Sequence, residues 1–254
     1  MPASYAHYRF GQALLSVLPA DARKAVRRFP RLYDMGLHGP DIFFHCNPVL
    51  PTKGGSLGIR FHEQTGKQFF AHARTAAGTE AGLAYLCGVL SHYCLDAACH
   101  PFVRETALQG NILHSELETE FDRYLLELDG KVPTCGQDLT GHMHLTEGEC
   151  ETVCRFYPQS TPRIIKRSVR NMAFFTRQLM APVGIKRNVI RSGLALLGKN
   201  IRGMMMTPEA NPNCAYLNGI MQNLYDEAAT RYPAMLTELL CGAPLGKDFS
   251  KIFG

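Results

Sequence analysis

The 254-residue chain contains no tryptophan and no Cys-x-x-Cys pair, and it lacks an internal repeat, a low-complexity linker and a convincing alternating strand pattern. These absences exclude a paired-cysteine metal ribbon or redox motif, a solenoid and an all-β architecture. Nor is there a clean membrane span. The longest apolar candidate, Ala81 to Ala98, carries His92 and Asp96 four residues apart, which marks a buried helix with one ionisable side. Acidic residues are missing from one long stretch. Between Thr152 and Pro208 there are eleven Lys or Arg and no Asp or Glu. Since the whole chain holds 27 Lys+Arg against 22 Asp+Glu, a basic segment is set on an acidic remainder.

What is present points to a helical globular protein. A hydrophobic content of 46% supports a sizeable core and rules out disorder. The polar N-terminus, with His7 close to the start, has no apolar signal core, and the nine cysteines read as free thiols in a reducing cell. Cys94, Cys99, Cys150 and Cys154 are the thiols that could instead bind metal. The expected compartment is cytoplasmic. Helices are expected from Pro19 to Leu32, Phe61 to Ala77, Thr79 to Ala98 with a stop at Pro101, and from an Asn111 cap through Leu128 to Gly130. Further helices are expected over Glu147 to Phe156, Pro162 to Met180, Ile185 to Leu197 and Tyr216 to Leu240, the last bent before Pro233. Gly36 to Gly58 and Lys131 to Thr146 read as loops. The expectation is an all-α single domain over residues 1–254, a multi-helix bundle.

Chemistry concentrates between positions 92 and 118. His92 and Asp96 are four apart on one expected helix, His100 follows after four more, and His114 and Glu118 are four apart on the next. Residues at i and i+4 lie one above the other, so each pair aims two ligand-type atoms at one point. Facing helices that do this build metal sites inside bundles, and imidazole with carboxylate suits Zn²⁺ or another first-row metal. Burying five such groups without pairing or metal would be costly. Asp41 in Gly39-Pro-Asp-Ile-Phe-Phe44, His62 after Phe61, and His7 near the N-terminus are further candidates. Each has an ordinary alternative as a cap or surface residue. Glu116, Glu120 and Asp122 are expected to project away from the site, and His142 and His144 to face solvent. His38 and His45 flank Asp41 and either support it from behind or lie at the surface.

The order of these segments resembles the zinc-dependent phospholipase C family, whose helical fold is shared with zinc-dependent single-strand nucleases. The resemblance rests on Ala6-His-Tyr-Arg-Phe-Gly11, Gly36-Leu-His-Gly-Pro-Asp-Ile-Phe-Phe44, Phe61-His-Glu63, His92-Tyr-Cys-Leu-Asp-Ala-Ala-Cys-His-Pro101 and His114-Ser-Glu-Leu-Glu118. It implies two to three zinc ions. One would take Asp41, His62, His92 and Asp96, and a second His100, His114 and Glu118. A third would take His7, a shared Asp96 and the N-terminal amine, a place that a Trp fills in the secreted enzymes and that Met1 or Pro2 would fill here. Asp41 would ligate a metal and could act as catalytic base.

The resemblance implies zinc-dependent phosphodiester hydrolysis with a phospholipid substrate. A single-strand nuclease and a non-catalytic zinc-stabilised interaction protein remain alternatives. Arg163, Arg167, Arg170 and Arg177 fall on one face of their helix, suited to an anionic membrane surface or, with few aromatics nearby, less well to nucleic acid. They would equally serve as a solvated face. Ile42, Phe43, Phe61, Phe69 and Phe70 either line an apolar mouth or belong to the core.

Overall fold

A computed structural model describes residues 4–46, 53–110 and 112–253, and among them the chain is all-α. No strand forms among the described residues; Thr65 and Ile252 make an isolated bridge. The first third holds α1 (Ser4–Leu14), α2 (Ala20–Arg28), α3 (Pro30–Gly36), a 3₁₀ segment (Gly39–His45), α4 (Lys53–His62) and α5 (Gly66–Ala76). The centre holds α6 (Glu80–Leu108) and α7 (His114–Leu128). After these come α8 (Glu147–Cys154), α9 (Pro162–Leu179), α10 (Ile185–Leu197), α11 (Lys199–Gly203) and α12 (Ala215–Leu240).

Local chemistry explains most of the boundaries. Thr79 Oγ1 accepts from the Gly82 N–H at 3.0 Å and starts α6, and Thr161 Oγ1 does the same for Ile164 at 3.2 Å, ahead of Pro162 in α9. Helix α6 is the hub. It is buried along most of its length, and α1, α2, α3, α7 and α12 pack on it. Its contact with α3 is close because neither side has a side chain there. A Cβ on Gly88 would lie 2.3 Å from Tyr33 O and 2.8 Å from Gly36 Cα. One hydrophobic cluster runs from Tyr5 to Phe253 and includes Ile42, Phe43, Phe61, Phe69 and Phe70. Those five residues are core.

Several sequence expectations need correction. The stretch Pro19 to Leu32 is two helices, broken at Phe29, whose backbone leaves the helical region just before Pro30. The Gly36 to Gly58 loop contains the 3₁₀ segment and the start of α4. The helix over Phe61 to Ala77 is likewise two. Thr65 and Gln68 form a capping box that opens α5, and the C-terminal segment fixes the break. There, Lys251 O accepts from the Gly66 N–H at 2.9 Å and Gln64 O accepts from the Phe253 N–H at 3.3 Å. His62 therefore closes α4. The expected cap Asn111 lies outside the described residues, and α7 begins at His114. Helix α12, by contrast, runs through Pro233 to Leu240 as expected.

The largest difference is at Pro101, which does not stop α6; the helix continues to Leu108. Proline at 101 has no N–H for the carbonyl four residues back, Ala97 O. Lys251 Nζ donates to that carbonyl at 2.7 Å, so the C-terminal segment supplies the missing donor. Replacing Lys251 with Met should cost about 1–2 kcal/mol in urea unfolding. The same change in a Pro101→Ala background should cost clearly less, because the main-chain N–H gained at position 101 then serves Ala97 O. Equal costs in the two backgrounds would show that Lys251 does not act by replacing the N–H missing at position 101.

Candidate metal centre

Five packed elements bring the candidate ligands together. Helix α1 carries His7, the 3₁₀ segment carries Asp41, α4 ends on His62, α6 presents His92, Asp96 and His100 down one side, and α7 opens with His114 and Glu118. Asp96 lies in the middle. Its Oδ1 is 3.1 Å from His7 Nε2 and 3.5 Å from His100 Nε2, and its Oδ2 is 3.0 Å from His92 Nε2. Asp41 Oδ1 is 2.7 Å from His62 Nε2 and 3.8 Å from His92 Nε2. Glu118 Oε1 is 3.2 Å from His100 Nε2 and 3.1 Å from His114 Nε2. His7, Asp41, His62, His92, Asp96 and Glu118 are buried, whereas His114 is 37% exposed at its side chain and marks the open side.

The backbone settles two tautomers. His62 Nδ1 lies 2.7 Å from Gly58 O and His92 Nδ1 lies 3.2 Å from Leu37 O. A carbonyl only accepts, so both Nδ1 atoms carry the proton and donate. Each Nε2 of a neutral ring is then a bare lone pair, turned toward a carboxylate oxygen. At these distances each pair is bridged either by a proton on Nε2, as the 2.7 Å contact of His62 with Asp41 allows, or by a metal cation between the two. His92 Nε2 is buried and makes no hydrogen bond. A metal ion fits this donor set. An imidazole held by Nδ1–H to a main-chain carbonyl is the usual way a protein orients a metal-binding Nε2.

Three groups have ligand atoms all within 4.8 Å of one another: His7, Asp41 and His92; His62, His92 and Asp96; and His100, His114 and Glu118. No cysteine belongs to a group of this kind among the described residues, and all nine are free thiols. The N-terminal atoms of the third expected site lie outside the described residues.

In the protein without metal, positive charge on the histidines offsets the cost of burying the carboxylates. Burial pushes Asp96 up, but His100, His92 and His7 outweigh it and hold its carboxyl well below the usual range. Burial likewise opposes the ionised form of Asp41, and His92 and His62 overcome it. Burial would lower His100, yet Asp96 and Glu118 raise it to about 9.

Close approach also depends on Gly39. Its φ is +47°, a conformation that favours glycine, and a Cβ there would lie 2.4 Å from His92 Cδ2.

Sequence reasoning missed three features around the centre. Asp122 and Glu120 are buried. The two oxygens of Asp122 accept from the Tyr5 N–H at 3.1 Å and the Ala6 N–H at 2.8 Å. This carboxylate fastens the start of α1, and so His7, to the helix that carries Glu118. Glu120 accepts from Arg123 Nε at 2.7 Å and from the Asn211 N–H at 3.1 Å. His142 is only partly exposed, with its Nε2 2.7 Å from the Nε2 of buried His38. The anchor was legible only as acid spacing on α7, because the N–H groups it serves belong to a helix 116 residues away.

An all-α fold that gathers five histidines and three carboxylates from five elements has the form of a helical metalloprotein with sites compatible with zinc. The sequence model of the zinc-dependent phospholipase C family matches residues 6–158, and the chain belongs to that family. The match spans every described candidate ligand and ends before α9. No curated protein and no solved structure gives a significant match. Replacing Asp122 with Ala should lower stability by about 2–3 kcal/mol and speed hydrogen exchange of the α1 amides selectively. Unchanged exchange in α1 would contradict the anchoring role.

Proposed function

We propose that the chain is a zinc-dependent phosphodiester hydrolase of the phospholipase C type, acting on a phospholipid to release its phosphorylated headgroup. The observation that carries the reading is the buried cluster of imidazole Nε2 atoms and carboxylates around Asp96, with His92 Nε2 left without a hydrogen bond, in a chain of this family. In this reading Asp41, His62, His92 and Asp96 hold one zinc ion. His100, His114 and Glu118 hold a second, and His7 with Asp96 contributes to a third. When bound, zinc lowers the pKa of water toward neutrality and draws charge from the phosphoryl oxygens.

The chain's own residues do the rest. Asp96, in contact with His7, His92 and His100, fixes the spacing of the two ligand groups along α6. Asp41 is held ionised by His92 and His62, so it can accept a hydrogen bond from the attacking water and orient it toward phosphorus. The main-chain carbonyls of Gly58 and Leu37 keep the Nε2 atoms of His62 and His92 pointing inward. His114, at the open side, is where a substrate would enter. The whole chain is read as one domain around one core, and nine unpaired thiols favour a cytoplasmic location.

The four arginines of α9 support contact with an anionic lipid surface. Arg163, Arg167, Arg170 and Arg177 are exposed, and among the described residues none lies within 4.0 Å of a carboxylate, whereas Lys166 pairs with Glu147 at 2.7 Å. Arg167 Nη2 donates to Cys46 Sγ at 2.9 Å, which ties that guanidinium to the protein.

Zinc-loaded protein should release phosphorylated headgroup from phospholipid and stop when chelator is added. Asp96→Asn should lower turnover about 100-fold or more and reduce bound zinc. Mononucleotides released from single-stranded DNA, with phospholipid untouched, would instead support the nuclease reading. Zinc content with no hydrolysis of either substrate would support a structural role.

The raised pKa of His100 gives a pH signature. In the metal-free protein, protonated His100 contributes stability that is fully present below its unfolded value of about 6.5 and is lost as pH rises through about 9. The ring must give up that proton to bind zinc, so zinc affinity should rise across the same interval with proton release on binding. A pH-independent zinc affinity over that interval would contradict the assignment of His100 as a ligand.

A further inference from the structure

Helices α10 and α11 and the first turn of α7 line an open cavity of about 690 Å³; none of the candidate metal ligands lines it, although Leu113 and Glu116 flank His114. Three arginines line it: Arg187 and Arg191 from α10 and Arg202 from α11. Its one acidic lining residue is Glu116, whose Oε1 accepts from Asn211 Nδ2 at 3.3 Å. Among the described residues none of the three guanidiniums lies within 4.0 Å of a carboxylate, although other arginines such as Arg31 and Arg123 do.

Arg187 is the informative member. It is only 6% exposed, and its hydrogen bonds go to neutral acceptors: Ala181 O at 3.0 Å, Met206 O and Cys135 Sγ. A cation that deep is hydrogen-bonded but not neutralised, and two further cations share its cavity. Such an arrangement is costly unless an anion completes it. Guanidinium forks match phosphate oxygens geometrically, and three arginines against one glutamate suit a dianionic phosphate monoester better than a singly charged diester.

The outside of α10 identifies the kind of molecule that bears the phosphate. Ile185, Val189 and Leu196 fall on one stripe of the helix, 84%, 67% and 89% exposed. Ser192 belongs both to that stripe and to the cavity lining, and Val183, 72% exposed, sits at the cavity just before the helix. An apolar stripe that borders a cationic cavity, with Lys186 and Arg191 exposed alongside, has the layout of a helix lying at a membrane interface. We propose that this cavity binds the phosphate monoester headgroup of an anionic membrane lipid, with Ile185, Val189 and Leu196 entering the acyl boundary beside it. The site anchors the protein to membrane and does not depend on the hydrolytic reading.

The test is vesicle co-sedimentation of the full chain at physiological ionic strength. Two phosphatidylcholine vesicles are compared, one containing phosphatidic acid, a monoester, and one containing phosphatidylglycerol, a diester, adjusted to equal surface charge. Wild type should prefer the phosphatidic acid vesicles by about fivefold or more, the range expected when arginine–phosphate contacts of about 1 kcal/mol are added. Arg191→Gln with Arg202→Gln should abolish that preference, and Val189→Asp with Leu196→Asp should abolish binding to both vesicles. All four positions are exposed, and unchanged circular dichroism checks the fold. Binding that follows surface charge alone in wild type, or a preference that survives the arginine substitutions, would overturn the proposal. Release of wild type by inorganic phosphate, with binding indifferent to Val189 and Leu196, would assign the cavity to free phosphate and overturn the lipid source. Loss of hydrolysis with the vesicle preference intact would strike the proposed activity alone.

Discussion

Two imidazoles have committed their Nδ1–H groups to main-chain carbonyls, His62 to Gly58 O and His92 to Leu37 O. What they turn inward is therefore Nε2, and what meets it is carboxylate oxygen from Asp41 and Asp96. A buried cluster of this kind needs positive charge among its oxygens, as protons on the rings or as metal ions. The surrounding fold serves that constraint. Gly39 lets the chain pass against the His92 ring, α3 sits on α6 through glycines, and Asp122 fastens α1 so that His7 reaches Asp96.

The length of α6 is the second requirement. His92, Asp96 and His100 line up on a helix that continues past Pro101. The chain's C-terminal segment makes this possible. Lys251 supplies a donor to Ala97 O, Phe249 and Phe253 enter the core beside Tyr93, and the Tyr93 hydroxyl donates to main-chain carbonyls of the same segment. Helix α1 and the C-terminal segment thus both meet α6, each supporting the candidate ligands.

The i, i+4 spacing of His92, Asp96, His100, His114 and Glu118 was enough to anticipate a helical site, because a helix converts that spacing directly into a shared face. The all-α class followed from amphipathic periodicity for the same reason. Features that depend on distant partners were not legible. The expected stop at Pro101 ignored a lysine 154 residues beyond the carbonyl it serves, and the expected outward placement of Asp122 ignored the N–H groups of α1. His142, expected in solvent, is partly covered through contact with His38. The break at Thr65 was written in a capping box but masked by Phe61 and Phe69, which keep helical spacing across it.

Charge is divided by role across the molecule. Carboxylates concentrate with histidines on α6 and α7, where they call for metal cations, while arginines without carboxylate partners among the described residues collect on α9, α10 and α11 beyond the family match. The nine free thiols offer a chemically distinct home for zinc, so the coordinating atoms are the point on which the account turns. Zinc K-edge X-ray absorption of the zinc-loaded protein reads them directly. Only nitrogen and oxygen scatterers at about 2.0–2.1 Å are expected. A sulfur shell at about 2.3 Å would place the metal on cysteine and contradict a histidine–carboxylate centre.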